Sequence, residues 1–224
     1  MSKKKIAIQG ELGAYSHIAA ENLYKDSEIK TCTTFEETFK QAYNDPSYKI
    51  VIPIENSLAG RVADIHYLLP KYKLQIHGEH FQAVEHNLLC KPDATISDIK
   101  FVRSHAQAIG QCQNLITKKK FKPIISADTA GSAKDLAEGK DITIAAIASE
   151  LSAKIYNLKI LEKNIEDEKG NVTRFLIMGK NIEQPEFKNE KKFITSCIFR
   201  VKSEPSALYK CLGGFATNQV NLTK

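Results

Sequence analysis

The 224-residue chain lacks any apolar run long enough to cross a membrane or to form a secretory leader core: after Met1-Ser2-Lys3-Lys4-Lys5 the first such run is only Ile6-Ala7-Ile8. A membrane protein is excluded on this reading, and a cytoplasmic one is expected. Paired cysteines are missing too. Cys32, Cys90, Cys112, Cys197 and Cys211 are odd in number, far apart and without a C-x-x-C, which points to free thiols in a reducing compartment. His77-x-x-His80, with His86 nearby, comes with no cysteine or carboxylate at a ligand spacing, so no metal is expected. The basic runs lack aromatics. The 32 Lys+Arg against 26 Asp+Glu give +6, yet Lys118-Lys119-Lys120 and residues 188–192 are short solvated stretches with no interleaved ring on which a base would stack. No nucleic-acid partner is expected. The positive balance favours an anionic small molecule, drawn in by long-range steering.

What is present is a repeated grammar of short apolar run, polar junction and amphipathic segment. Residues 5–9 read as a strand, followed by the loop Gly10-Glu11-Leu12-Gly13-Ala14-Tyr15-Ser16 and a helix to Tyr24. That loop lacks the third glycine and the later acidic residue of a dinucleotide fingerprint. Its glycines still let the backbone approach a ligand, and Tyr15 and Ser16 place hydroxyls at a helix N-terminus, where unpaired N–H groups favour anions. Thr33-Thr34-Phe35-Glu36 caps a helix running to Tyr43. Residues 48–54 form a buried strand that delivers Glu55-Asn56-Ser57, and after Gly60 a helix carries Val62, Ile65, Leu68 and Leu69. Residues 100–103 deliver Ser104-His105-Ala106-Gln107 onto a helix through Cys112 and Ile116. Residues 122–127 deliver Asp128-Thr129-Ala130, and 142–148 deliver Ser149, each onto a further helix. Five strand-to-helix junctions argue for a mostly parallel α/β sheet with its ligand at the strands' carboxyl ends.

Two extended pieces interrupt the alternation, residues 74–90 and 172–178. If both cross between two α/β lobes, the crevice lies between the lobes. The second piece follows the turn Gly170-Asn171 and opens with Thr173 and Arg174, a hydroxyl and a guanidinium where a loop enters a sheet, suited to an anionic substrate. Residues 181–192, rich in Lys and Glu and containing Pro185, read as a linker. Beyond it, 193–202 alternates like a strand, 205–215 reads as helix, and 219–222 starts another strand.

The matches in order are Gly10-Glu11-Leu12-Gly13-Ala14-Tyr15-Ser16, Pro53-Ile54-Glu55-Asn56-Ser57-x-x-Gly60-x-Val62, Ser104-His105-x-Gln107, Gln111-Cys112, Thr129-Ala130 and Asn171-x-Thr173-Arg174-Phe175. With them the chain resembles the prephenate dehydratase family over essentially its whole length. The resemblance implies a two-lobed, periplasmic-binding-protein-like α/β catalytic domain over 1–180, with lobe one about 1–80 plus 170–180, lobe two about 85–165, and the site in the interlobe cleft. It implies a lyase of L-phenylalanine biosynthesis that takes a small dicarboxylate, needs no cofactor, and removes carbon dioxide and water from prephenate. Arogenate as substrate, and a non-enzymatic anionic solute-binding module, are the alternatives. Thr173 is expected at the leaving hydroxyl, with Asn56 and Gln107 as neutral donors to the substrate. Tyr15, Ser16, Ser57, Thr129, Ala130 and Arg174 are expected to counter its charge, with Phe175 packing beneath. Glu55 is either an orienting group or an acid.

At the C-terminal end, Pro205-Ser206-Ala207-Leu208 resembles the family's phenylalanine-effector element with Ser for Gly. The expectation is a linker at 181–192 and an incomplete α+β ACT regulatory domain at 193–224. Phenylalanine is then the effector of a fuller form, and the assembly a homodimer or homotetramer.

Overall fold

In this computed structural model, residues 3–181, 186, 188–190 and 193–222 are described. Met1–Pro185 and Glu186–Lys224 form separate compact units. The expected linker falls largely outside the described residues.

The first unit contains two sheets. In the first, β1 (Lys5–Gln9), β2 (Glu28–Cys32) and β3 (Tyr48–Asn56) run parallel, linked by α1 (Tyr15–Leu23) and α2 (Phe35–Asn44). A short β4 (Gly60–Arg61) folds back on β3, and α3 (Ala63–Tyr72) leads to β5 (Gln75–Ala83). The second sheet comprises β6 (Asn87–Cys90), β7 (Phe101–His105), β8 (Lys122–Ser126), β9 (Ile144–Ala148) and β10 (Lys159–Glu162). Between these strands come α4 (Ala106–Gly110), α5 (Gln113–Lys119), α6 (Thr129–Glu138) and α7 (Glu150–Ile155). The chain then returns to the first sheet as β11 (Val172–Gly179), giving the orders β2-β1-β3-β11-β5 and β10-β6-β9-β7-β8.

Burial explains these choices. β3 and β11 are apolar on both faces, as strands covered on both sides must be. Ile6, Ile8, Val51, Phe175 and Ile177 pack with Ala19 and Ala20 of α1, while Ile50, Ile52, Leu176 and Met178 pack on the other face with Phe39, Ile65 and Leu68. α2 starts where Thr34 Oγ1 accepts from the Glu37 amide at 3.1 Å and the Glu37 carboxylate accepts from Thr33 N at 2.9 Å.

The five expected strand-to-helix junctions are formed, with three departures. The sheets are mixed, because β11 runs antiparallel to β3 and β5, and β6 antiparallel to β9 and β10. β2 and β10 were not apparent in the sequence, since as edge strands they bury too little to show an apolar pattern. The single helix expected through Cys112 is two, because the Asp167 carboxylate accepts from the Gln113 and Asn114 amides at 2.8 and 3.0 Å and starts α5 afresh.

In the second unit α8 (Ala207–Thr217) forms, and Phe199 lies 6.0 Å from Phe215 between ring centroids. The strand expected at 193–202 and the one beginning at 219 are absent among the described residues. Alternation alone does not make a strand. A ladder needs a partner for its N–H and C=O groups, and the described residues of this unit include no strand to supply one.

Candidate active site

Register creates the centre of the site. β11 lies antiparallel to β3 with Thr173 opposite Asn56 and Arg174 opposite Glu55. The Asn56 side chain closes an Asx turn: its Oδ1 accepts from the Leu58 and Ala59 amides at 3.0 and 2.9 Å. Those amides are donors only, so they settle which end of the Asn56 amide is oxygen. Its Nδ2 then donates to Asn171 Oδ1 at 2.6 Å and to Thr173 Oγ1 at 2.9 Å. Thr173 is 9 % exposed, and its oxygen is set as an acceptor from Asn56. Its own hydrogen is thereby kept for a third group.

The polar chain continues into the second lobe. Asn171 Nδ2 donates to Gln111 Oε1 at 3.0 Å, the same oxygen lies 2.9 Å from His86 Nε2, and His86 Nδ1 lies 3.1 Å from the Tyr15 hydroxyl. Tyr15 donates to the Glu85 carbonyl at 2.6 Å. Burial lowers the His86 pKa, against the Gln111 hydrogen bond and the Glu166 carboxylate, which raise it. Burial raises that of Tyr15 well above the phenol range, with Cys112, Glu166 and Glu85 adding to it. The Cys112 thiol is pushed up to about 12 by burial and then by Asp167 and Glu166, so it stays protonated and unreactive at neutral pH. Beside this chain opens a cleft of about 440 Å³ lined by Leu58, Ala59, Gln107, Gly110, Gln111, Asp167 and Glu168. None of these residues is cationic.

Several expected site residues lie elsewhere or do other work. Gln107 lines the cleft. Asn56 does not offer its donors to a substrate, because Asn171 and Thr173 take them. Arg174 does not face the Thr173 side: strand alternation turns it to the opposite face, where its guanidinium pairs with Glu79 at 2.6 Å. Glu55 stands on that same face, opposite Arg174 and Arg61. Ser57 accepts from Val172 N at 3.0 Å and fastens the loop to β3, and Ser16 donates to the Gln9 carbonyl at 3.1 Å. Thr129 and Ala130 open α6, whose Gly131 amide is taken by Asp128, and they are not among the residues lining this cleft. Ser104 is fully buried and donates to the Ile147 carbonyl, while His105 caps α4. Phe175 is buried in the core with Ile6, Ile8, Val51 and Ile177. The sequence reading missed the roles of Asn171, Gln111 and His86. Asn171 and Gln111 stood within quoted motifs, and His86 is a polar residue just before a buried apolar strand.

The Gly10 to Ala14 loop also joins the lobes. The Gly13 carbonyl accepts from Ser149 Oγ at 2.6 Å and Ser152 Oγ at 3.1 Å, Tyr156 donates to the Leu12 carbonyl at 3.0 Å, and Lys134 pairs with Glu11 at 3.2 Å. Gly13 has φ +91°, and a Cβ there would lie 2.8 Å from the Ser152 Cα. Gly13→Ala therefore combines a left-handed backbone cost with a clash against helix backbone. Destabilisation by about 2–4 kcal/mol is expected, read as a lowered midpoint in urea. A midpoint within experimental error of the parent would show that the loop shifts away without penalty.

A two-lobed α/β scaffold with a polar interlobe cleft and no metal-holding cluster among its described residues defines an enzyme-like or solute-binding class. No helix among these residues is long and apolar enough to cross a membrane. The comparisons decide within that class. The family profile described as prephenate dehydratase matches residues 6–183. A bifunctional N-acyl-homoserine lactone acylase/prephenate dehydratase of Komagataeibacter europaeus is 40% identical over 98% of this chain and 78% of its own length. Arogenate dehydratase/prephenate dehydratase 2 of Arabidopsis thaliana is 40% identical over the whole chain, which spans 58% of that plant protein. A prephenate dehydratase from Arthrobacter aurescens, solved with L-Phe, shares the fold with a TM-score of 0.85 at 24% identity, covering 98% of this chain and 74% of that one. The chain belongs to the prephenate dehydratase family, lyases of phenylalanine biosynthesis, and carries that family's catalytic domain.

Proposed function

We propose that the interlobe site, a cleft whose Leu58 and Ala59 wall is bonded to the Asn56–Thr173 pair, converts prephenate to phenylpyruvate. The C–CO₂ bond breaks, its electron pair enters the ring, and the ring hydroxyl leaves; with a proton from solvent it becomes water. The observation that carries this reading is the Thr173 hydroxyl, held as an acceptor by Asn56 and left with its own hydrogen for the departing oxygen. Threonine is too weak an acid to protonate that oxygen fully, so it polarises the C–O bond by hydrogen bonding. Gln107 and Gln111 supply neutral amide donors along the cleft wall. With no cation among the lining residues and Asp167 and Glu168 close by, a carboxylate there is favoured to leave as neutral carbon dioxide.

The test is to incubate the protein with prephenate and, separately, with arogenate, and to follow phenylpyruvate and phenylalanine. Phenylpyruvate is the expected product. The plant relative, an arogenate dehydratase/prephenate dehydratase, favours a second reading, in which arogenate is also taken, since the two substrates differ only in an amine for a keto oxygen, far from the ring chemistry. Binding of both compounds without product would leave a solute-binding module instead.

Free thiols at all five cysteines support a reducing, cytoplasmic setting for this reaction. Residues 193–222 are read as part of an ACT regulatory unit, on the resemblance of Ser206-Ala207-Leu208 at the start of α8. Exposed Ile194, Ile198 and Leu208 offer an apolar surface through which copies could pair, as a homodimer or, with two such dimers, a homotetramer. Because the described residues of this unit hold a helix and no sheet, phenylalanine titrated by calorimetry is expected to give no binding heat. A micromolar Kd would overturn that expectation.

A further inference from the structure

The chain of hydrogen bonds between the lobes has a direction. Leu58 and Ala59 amides fix Asn56 Oδ1, Asn56 Nδ2 fixes Asn171 Oδ1, and Asn171 Nδ2 in turn requires Gln111 to present its oxygen. His86 Nε2 meets that same oxygen at 2.9 Å and so must carry a hydrogen. Gln111 Oε1 is thus held from both sides, by a residue of the β11 approach and by one just before β6, while Gln111 itself lines the cleft. We propose that His86 is a positioning residue of the dehydration: as its Nε2–H tautomer it clamps Gln111 Oε1 and thereby turns the Gln111 amide nitrogen toward a carboxylate of the substrate. The inference rests on the reading of the cleft given above.

The surroundings of His86 suit one tautomer and a fixed ring. His86 is 2 % exposed, its backbone amide donates to Glu166 Oε2 at 3.0 Å, and its ring meets Tyr15 edge-on with centroids 5.8 Å apart. Burial favours the neutral imidazole, which has a single N–H; Gln111 claims that hydrogen at Nε2, and Nδ1 is left as an acceptor 3.1 Å from the Tyr15 hydroxyl, whose one hydrogen it shares with the Glu85 carbonyl. The charged or titratable groups acting on this cluster are Glu85 and Glu166 from the crossing segments, Tyr15 from α1 and Cys112 before α5. A neutral donor at Nε2 serves the clamp without changing the charge of the site. The amide nitrogen of a glutamine reaches the same point, whereas that of an asparagine stops near Nδ1.

The experiment compares His86→Leu, His86→Asn and His86→Gln for kcat and KM on prephenate, with melting temperatures, and adds Gln111→Ala alone and combined with His86→Leu. Expected are a KM raised about tenfold in His86→Leu and His86→Asn with a smaller change in kcat, recovery to within about threefold of the parent in His86→Gln, and a double variant no worse than Gln111→Ala. Losses that multiply in the double variant, or a His86→Gln as impaired as His86→Leu, would overturn the inference, because His86 would then not act through the Gln111 oxygen. If Gln111→Ala and Thr173→Ala both retain parental kinetics, the cleft reading itself falls. If they lose activity while folded His86→Leu does not, only the role of His86 falls.

Discussion

Replacing Thr173 by alanine is expected to lower kcat on prephenate by about 10²–10³-fold, the loss typical of a donor aimed at developing charge, with KM changed much less. In the proposed reaction the hydroxyl acts on an oxygen that gains charge only as the C–O bond breaks. Ground-state binding there would rest instead on the Gln107 and Gln111 amides of the cleft wall. Thr173→Ser keeps the oxygen that accepts from Asn56 Nδ2 and should retain most of the activity. Stopped assays with protein matched for folded fraction decide the matter. A kcat within tenfold of the parent in Thr173→Ala would remove the hydroxyl from the chemistry.

Asn56→Asp is expected to be nearly as damaging, although it changes one NH₂ for an oxygen of almost the same size. One carboxylate oxygen still accepts from the Leu58 and Ala59 amides, but the other now faces Asn171 Oδ1, where the native contact is 2.6 Å. Two acceptors then repel, and Thr173 turns its hydrogen inward to the carboxylate, away from the substrate. At pH 7 a fall in kcat of about 100-fold is expected. The carboxyl is partly buried among acceptors, which raises its pKa above the ordinary aspartate range; protonation then restores a donor to Thr173. Activity relative to the parent should therefore rise as pH falls. A flat ratio from pH 8 to pH 5, or parental activity at pH 7, would mean that the direction of the Asn56 bond is unimportant.

The fold was legible where each element announces itself locally. The apolar runs of β1, β3, β7, β8 and β9, each followed by a polar junction, made the α/β alternation plain. The direction of β11 was not, since a strand's partners are chosen by surface elsewhere in the chain. In the site, Thr173 and Asn56 were found through motifs, but their 2.9 Å bond joins residues 117 positions apart, and no periodicity reports it. Arg174 is instructive because the information was present: neighbours in a strand face opposite ways, so a hydroxyl and a guanidinium in succession do not share one cleft. His86 and Gln111 lacked a local signal because their task exists only where the segments before β6, after α4 and before β11 meet. The alternating run 193–202 marks the reverse failure, a local pattern with no partner strand among the described residues to realise it.

Among the described residues β11 is the last strand of the first unit, yet it fills the slot between β3 and β5. During synthesis on the ribosome, every strand of the second lobe emerges and has its neighbours available before β11 appears. β5, by contrast, has emerged long before but, among the described residues, pairs with no strand except β11. The first lobe is therefore held open by the order of translation until its closing segment arrives, and that segment is the one bearing Thr173. Completion of the first sheet and the arrival of Thr173 opposite Asn56 are one event.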